Sequence, residues 1–160
     1  MKAHRIVLVA VAIAALALTA SAFATTAHSS AATVVTTKKT SLGTILITSS
    51  GQTLYLDSHD KPGHPACTGG CLSAWPPLKA SGTPKASGSA KASLLGTTKI
   101  SGGAKQVTYN GHQLYTFGSD TKSSPTSGEG VNGFYVVSTS GAAITKAPTV
   151  KKKPSPTPGY

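Results

Sequence analysis

The chain has 160 residues, fifteen Lys and Arg against four Asp and Glu, a formal net charge of +11, and two cysteines. That length supports one small domain rather than two. The basic excess implies attraction to anionic surfaces. It excludes sequence-specific nucleic-acid readout, because Arg5 is the only residue able to fork onto guanine or phosphate and it lies at the extreme N-terminus.

In chain order, Met1–Arg5 is a basic region followed by an apolar run from Ile6 to Leu18, too short to cross a bilayer comfortably. With Ala22 and Ala24 around Phe23 it reads as a signal peptide over 1–24, with the mature chain starting near Thr25. No further membrane span is expected, and the location expected is extracellular. The mature chain carries a net charge of about +9. Residues 25–42, rich in Thr, Ser and Ala, read as a loose leader.

Ile45–Thr48 and Thr53–Leu56 flank Ser50-Gly51, and Gln106–Tyr109 and Gln113–Phe117 flank Asn110-Gly111. Both are hairpin signals, since the central residues of a type I′ turn need positive φ and Asn-Gly tolerates it. A later strand, Gly133–Ser138, closes the second unit. Its counterpart around Trp75 is interrupted by Pro76-Pro77, which removes ladder donors and predicts an edge or irregular segment. The Lys, Ala, Ser and Gly of 80–93 predict a flexible loop. The tail from 144, with Lys151-Lys152-Lys153 and alternating prolines, predicts a disordered basic segment. No helical periodicity follows the signal segment. The fold class is mainly β: a single small domain, 43–143, built from two hairpin-led β repeats (about 43–79 and 94–143) with a disordered basic C-terminal tail.

Those two units say the same thing twice. Gly51-x2-Leu54-Tyr55-x4-Asp60 returns sixty positions later as Gly111-x2-Leu114-Tyr115-x4-Asp120, and the register extends to Thr48/Thr108, Pro65/Pro125 and Gly70/Gly130. In a strand Leu54 and Tyr55 point to opposite faces, so one of each pair enters the core. Asp60 and Asp120 fall just past the strand ends, where a carboxylate can accept loop N–H groups or meet a Tyr hydroxyl. The alternative is that the two Asp line one shared site for a cation or a sugar.

Cys67-x3-Cys71 in an exported chain predicts a disulfide, which Thr68-Gly69-Gly70 lets the backbone close. The competing reading is a metal or redox site, since His59, His64, Cys67 and Cys71 supply four nitrogen or sulfur ligands, although H-x4-H-x2-C-x3-C matches no standard zinc module. Trp75, with Tyr109, Phe134 and Tyr135, could form a platform for stacking sugar rings; Trp75 and Tyr135 are the candidate ligand residues, set against a stronger reading of these aromatics as core. No catalytic residue and no cofactor is assigned: there is no G-x-S-x-G elbow, and the Gly-rich stretches precede no helix.

The string Leu54-Tyr55-x4-Asp60, Cys67-x3-Cys71-x3-Trp75-Pro76-Pro77-Leu78 and Leu114-Tyr115-x-Phe117-x2-Asp120 resembles the bacterial secreted-repeat proteins of unknown function, predicted lipoproteins with a Tyr-x-aromatic-x-x-Asp motif. The likeness covers residues 43 to 141. It departs at Asp57, which stands where the motif has an aromatic and where the second copy keeps Phe117, and in having no lipidation cysteine after the apolar run. The resemblance implies a secreted paired-repeat β domain. Two functions follow as expectations: a non-enzymatic structural or binding module held electrostatically to anionic cell-wall polymer, or an extracellular metal-binding or redox accessory protein.

Overall fold

A computed structural model describes residues 31–122 and 125–145; the expected signal peptide and all but the first two residues of the expected tail lie outside them. The described chain is mainly strand. It contains β1 (Val34–Thr40), β2 (Gly43–Thr48), β3 (Tyr55–Asp57), a single helical turn α1 (Cys71–Ala74), β4 (Lys85–Ala86), β5 (Leu95–Lys99), β6 (Lys105–Tyr109), β7 (His112–Gln113) and β8 (Phe134–Val136). They form three small sheets, ordered β2-β1-β4, β3-β8 and β5-β6-β7.

The second hairpin is the one its sequence predicts. Tyr109 pairs with His112 across Asn110 and Gly111, at φ 51° and 82°, the double positive φ of a two-residue turn. The first hairpin uses three residues instead. Thr48 N–H donates to Gln52 C=O (2.8 Å), Gly51 N–H donates to Thr48 C=O (2.9 Å), and Gly51 sits at φ 89°, a turn followed by a left-handed glycine.

Two expectations about loose segments need correcting. Val34 to Thr37 are all β-branched, which suits a pleated half-buried surface, and they form β1, antiparallel to β2 from Val35↔Thr48 to Thr40↔Gly43, with Val35 fully buried. The leader is therefore part of the domain from Val34 onward. Residues 80–93 are ordered by their backbone rather than by buried side chains. Lys85 and Ser87 N–H donate to Thr33 and Val35 C=O, both at 2.9 Å, so β4 adds a parallel strand to the open edge of β1.

The two repeats are interleaved. In one half, Leu46 N–H donates to Val137 C=O (2.9 Å), Val137 N–H to Leu54 C=O (3.1 Å), and Leu54 N–H to Leu46 C=O (3.1 Å), closing a ring of three backbone hydrogen bonds. In the other, Val107 donates to Leu78 (2.8 Å), Leu78 to Leu114 (2.8 Å), and Leu114 back to Val107 (3.0 Å). Each ring takes two residues from one repeat and one from the other. The closing segment of each repeat thus completes its partner, not itself. The side chains of both rings meet in one apolar cluster.

Because strands enter these rings from both sides, both residues of each Leu-Tyr pair are buried. Leu54 and Leu114 join the cluster around the rings, and Tyr55 and Tyr115 join a second cluster with Ile45, Trp75, Phe134 and Val136. The expectation that only one of each pair would enter the core underestimates the packing.

Candidate functional site

The chain's distinctive residues converge where the repeats cross. Tyr55 and Tyr115 face each other as an antiparallel pair, exchanging two backbone hydrogen bonds of 2.9 Å. Their hydroxyls then reach in opposite directions to the other repeat's carboxylate. Tyr55 Oη–H donates to Asp120 Oδ2 (2.8 Å) and Tyr115 Oη–H donates to Asp60 Oδ2 (2.9 Å). The second oxygen of each carboxylate secures the loop behind it: Asp60 Oδ1 accepts Ala66 N–H (2.6 Å), and Asp120 Oδ1 accepts Ser127 N–H (3.0 Å) and Oγ–H (2.8 Å). The spacing Tyr-x4-Asp therefore encodes a reciprocal clasp, and the two carboxylates serve separate clasps rather than one shared site.

Burial sets the electrostatics of the clasps. Desolvation first, then the hydrogen bond and charge of Asp120, hold the Tyr55 phenol well above the usual range; for Tyr115 desolvation is again the leading cause, followed by Asp60. Asp60 is also raised, chiefly by desolvation, with the Ala66 N–H and the Tyr115 hydroxyl acting against it.

Trp75 occupies the centre of this region. It stacks on Phe134 (centroids 3.8 Å, interplanar 4°) and on Phe117 (4.3 Å, 27°), while Tyr55 meets its edge at 5.3 Å and Tyr115 meets the edge of Phe134 at 5.4 Å. Trp75 is 3% exposed, so it is core and not an open platform for sugar rings. Tyr135 is only half-buried and lies in β8 opposite Leu56; the residue that mirrors Trp75 is Phe134. Tyr109 is buried as well, donating to Thr139 C=O (3.0 Å) and accepting Lys91 N–H (2.8 Å).

Trp75 fits only because Gly128 lies over it. A Cβ there would sit 2.7 Å from Trp75, 3.0 Å from Tyr55 and 3.1 Å from Phe117. Gly128→Ala is expected to cost about 1–3 kcal/mol through overpacking, measured as a lower urea midpoint; an unchanged midpoint would mean that the aromatic stack yields freely.

Cys67 and Cys71 form a disulfide with Cα atoms 5.4 Å apart. It closes the loop ahead of α1, and Trp75 N–H donates to Cys71 C=O (2.9 Å), so the bridge sets where Trp75 enters the stack. The entropic effect of so small a loop is about 2 kcal/mol. The bridge also takes both sulfurs out of the four-ligand set considered for a metal. His64 closes a tight turn with Lys61, while the His59 ring turns to Asp57, Nδ1 to Oδ1 at 2.8 Å. Among the described residues no group of three or more His, Cys, Asp or Glu is placed to hold a metal ion, and no helix is long and apolar enough to cross a membrane.

The two proline positions have a simple counterpart in the second repeat. Pro77 bridges to Tyr115 as Val136 pairs with Tyr55. Val136 N–H there donates to Glu129 Oε2 (2.7 Å), whereas Pro77 has no N–H to satisfy.

A family model described as a secreted repeat of unknown function matches the chain twice, over residues 36–79 and 96–137, together more than half of its length. The chain belongs to this family. Each match to the secreted-repeat model begins inside the first strand of a repeat, β1 or β5, and ends at the closing segment that crosses to the other repeat. The family unit is thus half of the interleaved pair, and the residues between the matches are the connection. No curated protein and no solved structure matches the chain.

Sequence reasoning missed several residues that the site depends on. Asp57 and His59 form a pair, Gln106 Nε2–H donates to Leu114 C=O (2.9 Å), Gln113 Nε2–H donates to Lys61 C=O (3.1 Å), and Glu129 caps β8. Of these, Asp57 left a signal as a carboxylate standing in an aromatic's position, and His59 stood out as a candidate metal ligand and not as the partner of Asp57.

Proposed function

We propose that this secreted-repeat protein is a non-enzymatic binding module that attaches to anionic envelope polymer through its lysines. One observation supports this above others: the carboxylates are turned inward. Asp60 and Asp120 hold the clasps, Asp57 accepts from His59, and Glu129 accepts from Val136. Those four are all the acidic side chains the chain has. Lys38, Lys39, Lys61, Lys79, Lys85, Lys91, Lys99, Lys105 and Lys122 are all exposed, and among the described residues none of them pairs with a carboxylate. The outer surface is consequently cationic almost without offset, and such a surface gives diffuse, salt-sensitive attraction. The description of the family as secreted agrees with an extracellular polymer as partner.

Sedimentation with isolated cell walls provides the test. Attachment is expected at about 0.05 M salt and to be largely lost at about 1 M, where the screening length falls to about 3 Å. Deleting residues 146–160 is expected to weaken it further. Attachment that persists at high salt without those residues would overturn the electrostatic reading.

A further inference from the structure

The repeats differ most in chemistry at position 57. Phe117 covers one face of Trp75, but its counterpart in the sixty-residue register is Asp57. Beside Asp57 lies a cavity of about 350 Å³, lined by Asp57, His59, Trp75, Asn132, Phe134 and the Cys67–Cys71 bridge. That volume is within the range of small-ligand sites. No lysine lines it.

Asp57 is 5% exposed. Its Oδ1 accepts the His59 backbone N–H (2.9 Å) and faces His59 Nδ1 (2.8 Å), while among the described residues Oδ2 takes no hydrogen bond. A carboxylate can only accept, so the hydrogen lies on Nδ1, and in the neutral form of the ring Nε2 is a second acceptor. His59 stands at the rim, its side chain 66% exposed, and Asn132 adds an amide that can accept or donate. The remaining walls are Ala66, Ala74, the sulfur bridge, and carbon of Phe134 and of Trp75, whose two ring faces are taken by Phe117 and Phe134. A nearly buried carboxylate with no lysine beside it, in a cavity otherwise walled largely by apolar groups, matches a small group that carries positive charge on an apolar body.

We infer that this cavity binds a small organic ammonium group, primary or quaternary, with its charge against Asp57 Oδ2 and its carbons against Trp75 and Phe134. The inference is independent of the lysine surface, and either can fail without the other.

Trp75 is the only tryptophan in the chain and lines the cavity, so its fluorescence reports occupancy in the intact protein. Choline is the probe, compared with its uncharged carbon analogue 3,3-dimethylbutan-1-ol and with N-acetylglucosamine. The expected result is a saturable change with choline, binding of the analogue weaker by about tenfold or more through loss of the charge facing Asp57, and a similar loss in Asp57→Asn. The comparison of choline with its analogue uses the unaltered protein, so it stands even where Asp57→Asn fails to fold. Equal binding of analogue and choline would overturn the inference, as would saturation by the sugar alone or no response to any probe.

Discussion

Asp120→Ala is expected to lower the unfolding free energy by about 3 kcal/mol, and Asp60→Ala by a similar amount. Each substitution removes the acceptor of a phenol that is fully buried and releases the loop N–H held by the other carboxylate oxygen. A hydrogen bond to a charged group contributes about 1.5–3 kcal/mol, and a donor left buried without a partner costs about 1–3 kcal/mol. For a domain of this size that corresponds to a melting temperature lower by roughly 10 °C. Asn at either position keeps an oxygen for the phenol and should cost less than Ala. Tyr55→Phe and Tyr115→Phe should also cost less, because the orphaned carboxylate is only partly buried and can take water. The decisive measurement is a double-mutant cycle. Strong coupling is expected for Tyr55 with Asp120 and for Tyr115 with Asp60, and little for Tyr55 with Asp60. Coupling within a repeat instead of across repeats would refute the clasp.

Alkali should unfold the protein well before most small β domains. Both clasp phenols stay protonated in the folded state far above the usual range, whereas in the unfolded chain they ionise near pH 10. The folded state then binds more protons than the unfolded one, so stability falls as pH rises above about 10. Two such groups would give a slope of about 2.7 kcal/mol per pH unit, and about 2 is expected because the carboxylate end of each pair reaches solvent. On the acid side the sign reverses the common pattern. Asp60 and Glu129 are raised, both chiefly by desolvation, so their contribution is fully present below the unfolded carboxylate range and is lost as pH rises through the folded values. Chemical denaturation from pH 4 to 12 should therefore show no loss through these two groups at mild acidity and a steep fall in alkali. Persistence of that fall in the Tyr55→Phe, Tyr115→Phe double variant would assign it to other groups.

Local signals in the sequence translate well into structure, and pairings do not. Asn110-Gly111 predicts its turn because two positive φ angles are a local demand. Cys67 and Cys71 predict their bridge because four residues of separation leave little geometric choice. The motif Tyr-x4-Asp predicts a carboxylate near a phenol, but the phenol it meets lies in the other repeat, and sequence spacing carries no information about which copy closes on which. Pattern reasoning places Val34–Thr40 in a leader because Thr and Lys dilute its apolar content, yet β1 needs only Val35 in the core and a partner strand. Residues 80–93 are ordered by backbone donors, which composition does not register. Trp75 was open to two readings, platform or core; the stack between Phe117 and Phe134 decides it, and that stack depends on the crossing.

The crossing of the closing segments also bears on how such a chain could fold. Residues 34 to 78 hold every strand of the first copy, yet the backbone groups of Leu46 and Leu54 find their third partner only in Val137. A chain emerging from its N-terminus would expose two half-finished units until nearly the whole sequence had been delivered, and then both would lock in one step. For a protein of a family described as secreted, that arrangement ties the folded state of the first half to delivery of the segment around Val137, and it makes two similar halves a single interdependent unit.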